Sequence, residues 1–133
     1  MNIAISANEQ ELIAAAEALK PELESRSGEI DKLRQLPQDL AEKLADLGFY
    51  RLVVPEDLGG LGVSPEAFCK ICETLAMANG STGWCVFIGA TSQYLFGALP
   101  ATQLEKMLQN PNVITSGVFA DMGTALFEEQ NGQ

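Results

Sequence analysis

Leu12, Ile13, Ala16 and Leu19 recur at steps of three and four, the spacing that lines one face of an α-helix. Ser6 and Glu9 stand just before them in an S-x-x-E arrangement, in which hydroxyl and carboxylate satisfy each other's open N–H groups, so a first amphipathic helix is predicted to start near Ser6. Pro21 has no N–H to give a helix interior and is expected to kink or end it. The polar stretch 24–35, with Ser25, Ser27 and Gly28, reads as a connection with room for a short helical turn. Pro37 suits the first position of a second helix, Leu40, Leu44 and Leu47 share its inner face, and Gly48 is a fitting left-handed stop.

Residues 49–64, FYRLVVPEDLGGLGVS, hold too much Gly and Pro for a helix and too many apolar side chains for a free linker, so they must pack. Ser64 and Pro65 then supply N-cap and first-turn chemistry for a third helix, Glu66 favours its positive end, and Phe68, Ile71, Cys72 and Leu75 repeat along one face. Asn79 and Gly80 end it. Ser81 or Thr82 is expected to cap a fourth helix through Trp84, Val86, Phe87, Ile88, Tyr94, Leu95 and Phe96, apolar around most of its circumference and therefore central. Pro100 opens a fifth, with Leu104, Met107 and Leu108 inward and Asn110 and Pro111 closing it.

The pattern changes after Pro111. Residues 113–120, VITSGVFA, are short, β-branched and without helical period, and predict a strand. A second candidate, 125–130, runs into Asn131 and Gly132, the pair suited to a tight hairpin turn. A turn with no returning strand leads us to expect that the natural polypeptide continues. The fold class expected is all-α, about five helices over residues 1–111, followed over 112–133 by the first strands of a truncated β-domain.

Composition narrows the function. The 133 residues carry 8 basic and 18 acidic side chains, a net charge of −10, so neither nucleic acid nor an anionic membrane is an expected partner. No basic region followed by an apolar run opens the chain, and the uncharged stretch 83–99 is interrupted by Thr91, Ser92, Gln93 and glycines, so a cytoplasmic protein without a membrane span is expected. Cys69 and Cys72 form C-x-x-C, but no histidine exists and only Cys85 is left to join them. That set lacks the four ligands of a structural zinc site and is expected to be reduced core thiols. Without histidine, the usual general base for a Ser or Cys nucleophile is absent as well. Gly59-Gly60-Leu61-Gly62 lacks both the dinucleotide spacing and the P-loop lysine and reads as a turn, and Glu56 and Asp57 read as solvated or capping carboxylates.

One cluster points to a ligand. Gly80-Ser81-Thr82-Gly83-Trp84 places two hydroxyls, two glycines and the only tryptophan at a helix start. Small residues there admit close approach of a flat molecule, although a cap with a core tryptophan would carry the same letters.

Val53 to Ser64, VVPEDLGGLGVS, resembles the P-E-x-x-G-G-x-G-x-S segment in the N-terminal helical domain of the acyl-CoA dehydrogenase superfamily, with Pro55, Glu56, Gly59, Gly60, Gly62 and Ser64 all matching. The order of elements is similar too, from about Glu9 to the end of the chain. The resemblance implies an acyl-CoA-dehydrogenase-like N-terminal domain of a homo-oligomeric flavoprotein oxidoreductase that binds FAD or FMN. Its main implication is dehydrogenation of an acyl thioester or similar small-molecule substrate, with this region walling the flavin and substrate pocket. Trp84 would then pack beside the isoalloxazine or the substrate, and Ser116, Phe119, Gly123 and Thr124 would line the flavin. Ser81 to Trp84, S-T-G-W, is similar to a branch of flavin-dependent monooxygenases supplied with reduced flavin by a separate reductase, which is the alternative. That branch often carries a histidine eight residues after the tryptophan, where this chain has Ser92. The dehydrogenases' T-E-P and Gly-Ser flavin segment is replaced by residues 116–124, SGVFADMGT. A non-catalytic helical assembly module is the remaining reading. The general base of the dehydrogenases lies outside this chain, so no catalytic residue is assigned, and the chain alone is expected to be inactive.

Overall fold

In a computed structural model, which describes residues 7–94, 99–117 and 123–124, the chain is helical. Five α-helices follow one another among the described residues: α1 (Ala7–Leu33), α2 (Gln38–Asp46), α3 (Pro65–Ala78), α4 (Gly80–Tyr94) and α5 (Ala101–Leu108). Two 3₁₀ turns, Phe49–Arg51 and Glu56–Leu58, lie between α2 and α3.

The core is built from α1, α3 and the 49–54 segment. Leu19, Leu23 and Ile30 of α1, Leu40 and Leu44 of α2, and Ile71 and Leu75 of α3 are buried around Phe49, Tyr50 and Leu52. α1 packs along α3, α3 along α4, and the 49–51 turn bridges α2 and α4.

Pro21 neither ends α1 nor leaves 24–35 as a connection, contrary to the expectation from sequence. Pro21 is exposed, and Ala16, Leu19, Leu23 and Ile30 keep one face in register across it, so burial offsets the missing hydrogen bond. Polar side chains tie the second half of α1 down. Arg26 donates to both Asp39 carboxylate oxygens, at 2.6 and 2.9 Å, and to Glu29 at 2.8 Å, while Lys43 donates to Glu22 at 2.6 Å. These bonds fasten α2 against α1 over the Pro37 corner. Pro37 sits one position earlier than expected, at the N-cap of α2, and Gly48 takes the left-handed stop with φ +77°.

The 49–64 segment packs as predicted. Val63 N–H donates to Leu52 C=O, Gly62 N–H to Val54 C=O and Leu61 N–H to Arg51 C=O, closing a compact loop. A Cβ on Gly60 would overlap the Val54 carbonyl, so the loop closes only around a residue without a side chain. Ser64 caps α3 by accepting from Ala67 N–H at 3.2 Å. Glu9, from α1, accepts Ser64 N–H at 2.6 Å, so a distant carboxylate supplies the return bond of a capping box; Ser6, its expected partner, lies outside the described residues.

Residues 113–117 form no strand, contrary to expectation; 118–120, 125–130 and the Asn131-Gly132 turn lie outside the described residues. No second strand is available among the described residues, and the backbone is held by α4 instead. Gln93 Nε2 donates to Val113 C=O at 2.7 Å and Thr115 Oγ1 to Gly89 C=O at 3.0 Å. α5 turns Leu104 inward, but Met107, expected inward, is 37% exposed; the Leu108 side chain is outside the description. No helix among the described residues is long and apolar enough to cross a membrane.

Candidate functional site

Asn79 organises the start of α4. Its N–H closes α3 on Leu75 C=O, and its Oδ1 accepts both Thr82 N–H and Thr82 Oγ1–H at 2.9 Å. Asn79 is therefore the cap of α4, in place of the expected Ser81 or Thr82. Thr82 is fully buried beneath it and Ser81 faces outward. Gly83 does not open the helix start to a ligand as its place in the motif implied. A Cβ there would stand 2.5 Å from Ala76 Cβ, so the absent side chain lets α3 and α4 cross closely. Gly80, with nothing within 4 Å of a built Cβ, is open.

α4 is two-faced rather than buried all round. Thr82, Gly83, Val86, Gly89, Ala90 and Gln93 are buried, and Tyr50 lies against Gly89, where a Cβ would stand 2.5 Å from its ring. On the other side Trp84 is 64% exposed, Tyr94 64% and Phe87 39%. Trp84 stacks on Phe87 with centroids 6.1 Å apart and planes at 22°, and Phe87 stacks on buried Phe68 at 5.6 Å. Trp84 is thus an outward ring held by a ladder that is rooted in the core.

Beside Trp84 a cleft of about 500 Å³ separates the end of α1 from the start of α4. Ile30, Asp31, Arg34, Gln35 and Leu36 form one wall and Gly80, Ser81, Trp84 and Cys85 the other. The α1 wall was not legible in the sequence, because α1 was not expected to reach Leu33. About two turns further along α4, Ser92 meets the 113–117 segment: a Cβ on Gly117 would stand 2.7 Å from Ser92 Oγ. Ser92 Oγ and Gln93 Oε1 are buried there with no hydrogen-bond partner.

The other residues singled out from sequence fall in separate places. Ser116 is exposed next to Gly117, and Gly123 and Thr124 are exposed, with nothing within 4 Å of a Cβ built on Gly123. Phe119 lies outside the described residues. Trp84 and Ser116 flank opposite ends of α4, and the structure does not bring them into one pocket.

Cys69 is exposed, not a core thiol as expected, because its step on α3 carries it past the buried edge; Cys72 and Cys85 are partly buried. Burial pushes the Cys72 thiol up to about 12, with the nearby Cys69 adding to it, and raises that of Cys85, which keeps both protonated and poorly nucleophilic. Tyr50 is likewise pushed up to about 12, chiefly by burial. Among the described residues no group of three or more Cys, Asp or Glu side chains could hold a metal ion.

The family model of the acyl-CoA dehydrogenase N-terminal domain matches residues 7–109. Indole-3-acetate monooxygenase of Acinetobacter baumannii is 41% identical over 104 residues, 76% of this chain and 26% of that protein. The flavin-dependent monooxygenase oxygenase subunit HsaA of Mycobacterium tuberculosis is 32% identical over 118 residues, 88% of this chain and 30% of that protein. The crystal structure of the M. tuberculosis HsaA monooxygenase superposes with a TM-score of 0.72 at 30% identity, covering 80% of this chain and 28% of that one. The chain thus spans between a quarter and a third of the length of these relatives.

Proposed function

The chain belongs to the acyl-CoA dehydrogenase N-terminal domain family, and from that premise we propose that it is the helical part of the oxygenase component of a two-component flavin-dependent monooxygenase acting on an aromatic compound. The observation that carries the reading is the likeness to oxygenases over most of the chain, at 41% and 32% identity. Dehydrogenation of an acyl thioester, the main implication of the resemblance, gives way on that ground to the oxygenase alternative. The non-catalytic module gives way too, since a purely structural helix has no use for a tryptophan turned outward on a stacked ladder.

In this reading residues 1–111 are the helical domain and 112–133 begin a β-domain, within a homo-oligomer that a separate reductase supplies with reduced flavin. The chain's own features suit a flavin and an aromatic ring. Trp84 and Phe87 offer a planar apolar wall, Ser92 holds a buried hydroxyl in need of a partner, and Ser116, Gly123 and Thr124 are small and open. With Phe119 they would line the flavin, FAD or FMN. A bound reduced flavin supplies the electrons and the activation of dioxygen. The work of this chain is positional: Trp84 holds a ring plane, the packed face of α4 fixes Trp84, and the protonated thiols take no part.

The test uses the complete protein with reduced FAD or FMN, labelled dioxygen, and indole-3-acetate as a first aromatic probe. Incorporation of one labelled oxygen atom per probe molecule supports the reading. Reduction of an electron-accepting dye by an acyl-CoA, with no oxygen incorporated into any aromatic probe, overturns it.

A further inference from the structure

We infer that the cleft between the end of α1 and the start of α4 binds an aryl carboxylate, with Trp84 as the wall for its ring and Arg34 as the anchor for its carboxylate. This rests on the oxygenase reading and names the substrate class for it. Three observations meet in the cleft. Its volume, about 500 Å³, is that of a small-molecule site. Trp84 on one wall is 64% exposed yet held by stacking on Phe87, so a ring can lie on it without first ordering it. Arg34 on the facing wall is the only non-glycine residue with positive φ, +54°, among the described residues.

That backbone is the informative part. Arg34 follows the last residue of α1, and its N–H still bonds Ile30 C=O at 3.0 Å. It occupies the position where helices ordinarily stop on glycine, because a side chain is disfavoured at such φ. This chain uses glycine for the same stop after α2, at Gly48, and places arginine here. Its guanidinium makes no ion pair or hydrogen bond among the described residues, whereas Arg26, Lys20, Lys43 and Lys70 are all paired with carboxylates. Strain kept at a residue whose side chain has no structural partner points to a use outside the fold. A guanidinium presents a planar fork that matches a carboxylate's two oxygens. Asp31 on the same wall bears the opposite charge, so the site takes its anion at Arg34 and not along the whole wall; Ser81 on the facing wall adds a hydroxyl.

Trp84 is the only tryptophan, so its fluorescence reports this site alone. The 133-residue chain is titrated with phenylacetate and with the uncharged phenylacetamide, as wild type, Arg34→Gly and Arg34→Lys. We expect phenylacetate to bind wild type about tenfold more tightly than the amide, the preference to fall below about twofold in Arg34→Gly, and Arg34→Lys to retain part of it. Arg34→Gly should meanwhile raise the melting temperature, since glycine relieves the left-handed position. Binding loss joined to a stability gain separates a ligand-binding role from a merely structural one. Equal binding of acid and amide by wild type, no fluorescence change with either, or a preference unaltered in Arg34→Gly overturns the inference. Flavin binding by the complete protein is scored separately: an aryl acid held without flavin sinks the oxygenase reading alone, and flavin bound without preference for the acid sinks this inference alone.

Discussion

The inner and outer faces of α4 are made from the same fifteen residues and obey different rules. On the inner face each side chain is sized by its neighbour: Gly83 yields to Ala76, Gly89 to Tyr50, and Thr82 is held by Asn79. On the outer face Trp84 and Tyr94 meet solvent with most of their surface, and the ring stack on Phe68 is the sole aromatic anchoring among the described residues. The inner face therefore decides whether the chain folds. The outer face is spared that duty and can be shaped for a ligand. Substitutions should separate the two, with stability falling on one side and binding on the other.

The largest stability effect belongs to the core under the inner face. Ile71 is fully buried between α1 and α4, and Ile71→Ala is expected to cost about 3 kcal/mol in urea unfolding through lost burial and the cavity left behind. Gly83→Ala comes next, at about 2 kcal/mol, because its methyl must push α3 and α4 apart at Ala76. A Gly83→Ala chain as stable as wild type would show that the two helices are not locked. Asn79→Ala should cost about 1 kcal/mol, since it removes the bonds to Thr82, while Ser81→Ala two residues later should cost almost nothing. Equal losses at the two positions would return the cap to the serine.

How much of this could be read beforehand depends on whether the signal was local. The Ser64 cap, the Gly48 stop and the Leu40 and Leu44 face were legible because each is set by residues a turn apart. Pro21 misled because its cost is local but its compensation is not: Leu23 and Ile30 pack against α3, far along the chain. The exposure of Trp84 was hidden for the same kind of reason. Apolar letters all round α4 read as burial, and only the placement of α3 shows which side is covered. The cleft joins residues 30–36 to 80–85, a pairing that no window of sequence contains.

A smaller effect concerns the clip that keeps α1 and α2 together. Hydrogen bonds from Arg26 hold the Asp39 and Glu29 carboxyls below their ordinary range. A carboxyl lowered in the folded state contributes stability above its unfolded pKa, and that contribution fades as pH falls through the folded value. Arg26→Gln should thus have a lower urea midpoint than wild type at pH 7, with the gap closing toward about pH 3. A gap that stays constant with pH would mean that Arg26 acts through packing alone.

The smallest stability change, and the most direct test, is expected at Trp84. Trp84→Phe is made in the complete protein, and turnover of an aromatic substrate with reduced flavin is measured beside the melting temperature. An outer-face wall predicts that turnover or flavin binding falls clearly while the unfolding free energy moves by less than about 0.5 kcal/mol. Unchanged turnover and flavin binding with a lowered melting temperature would make Trp84 part of the fold and contradict the division of α4 into two faces.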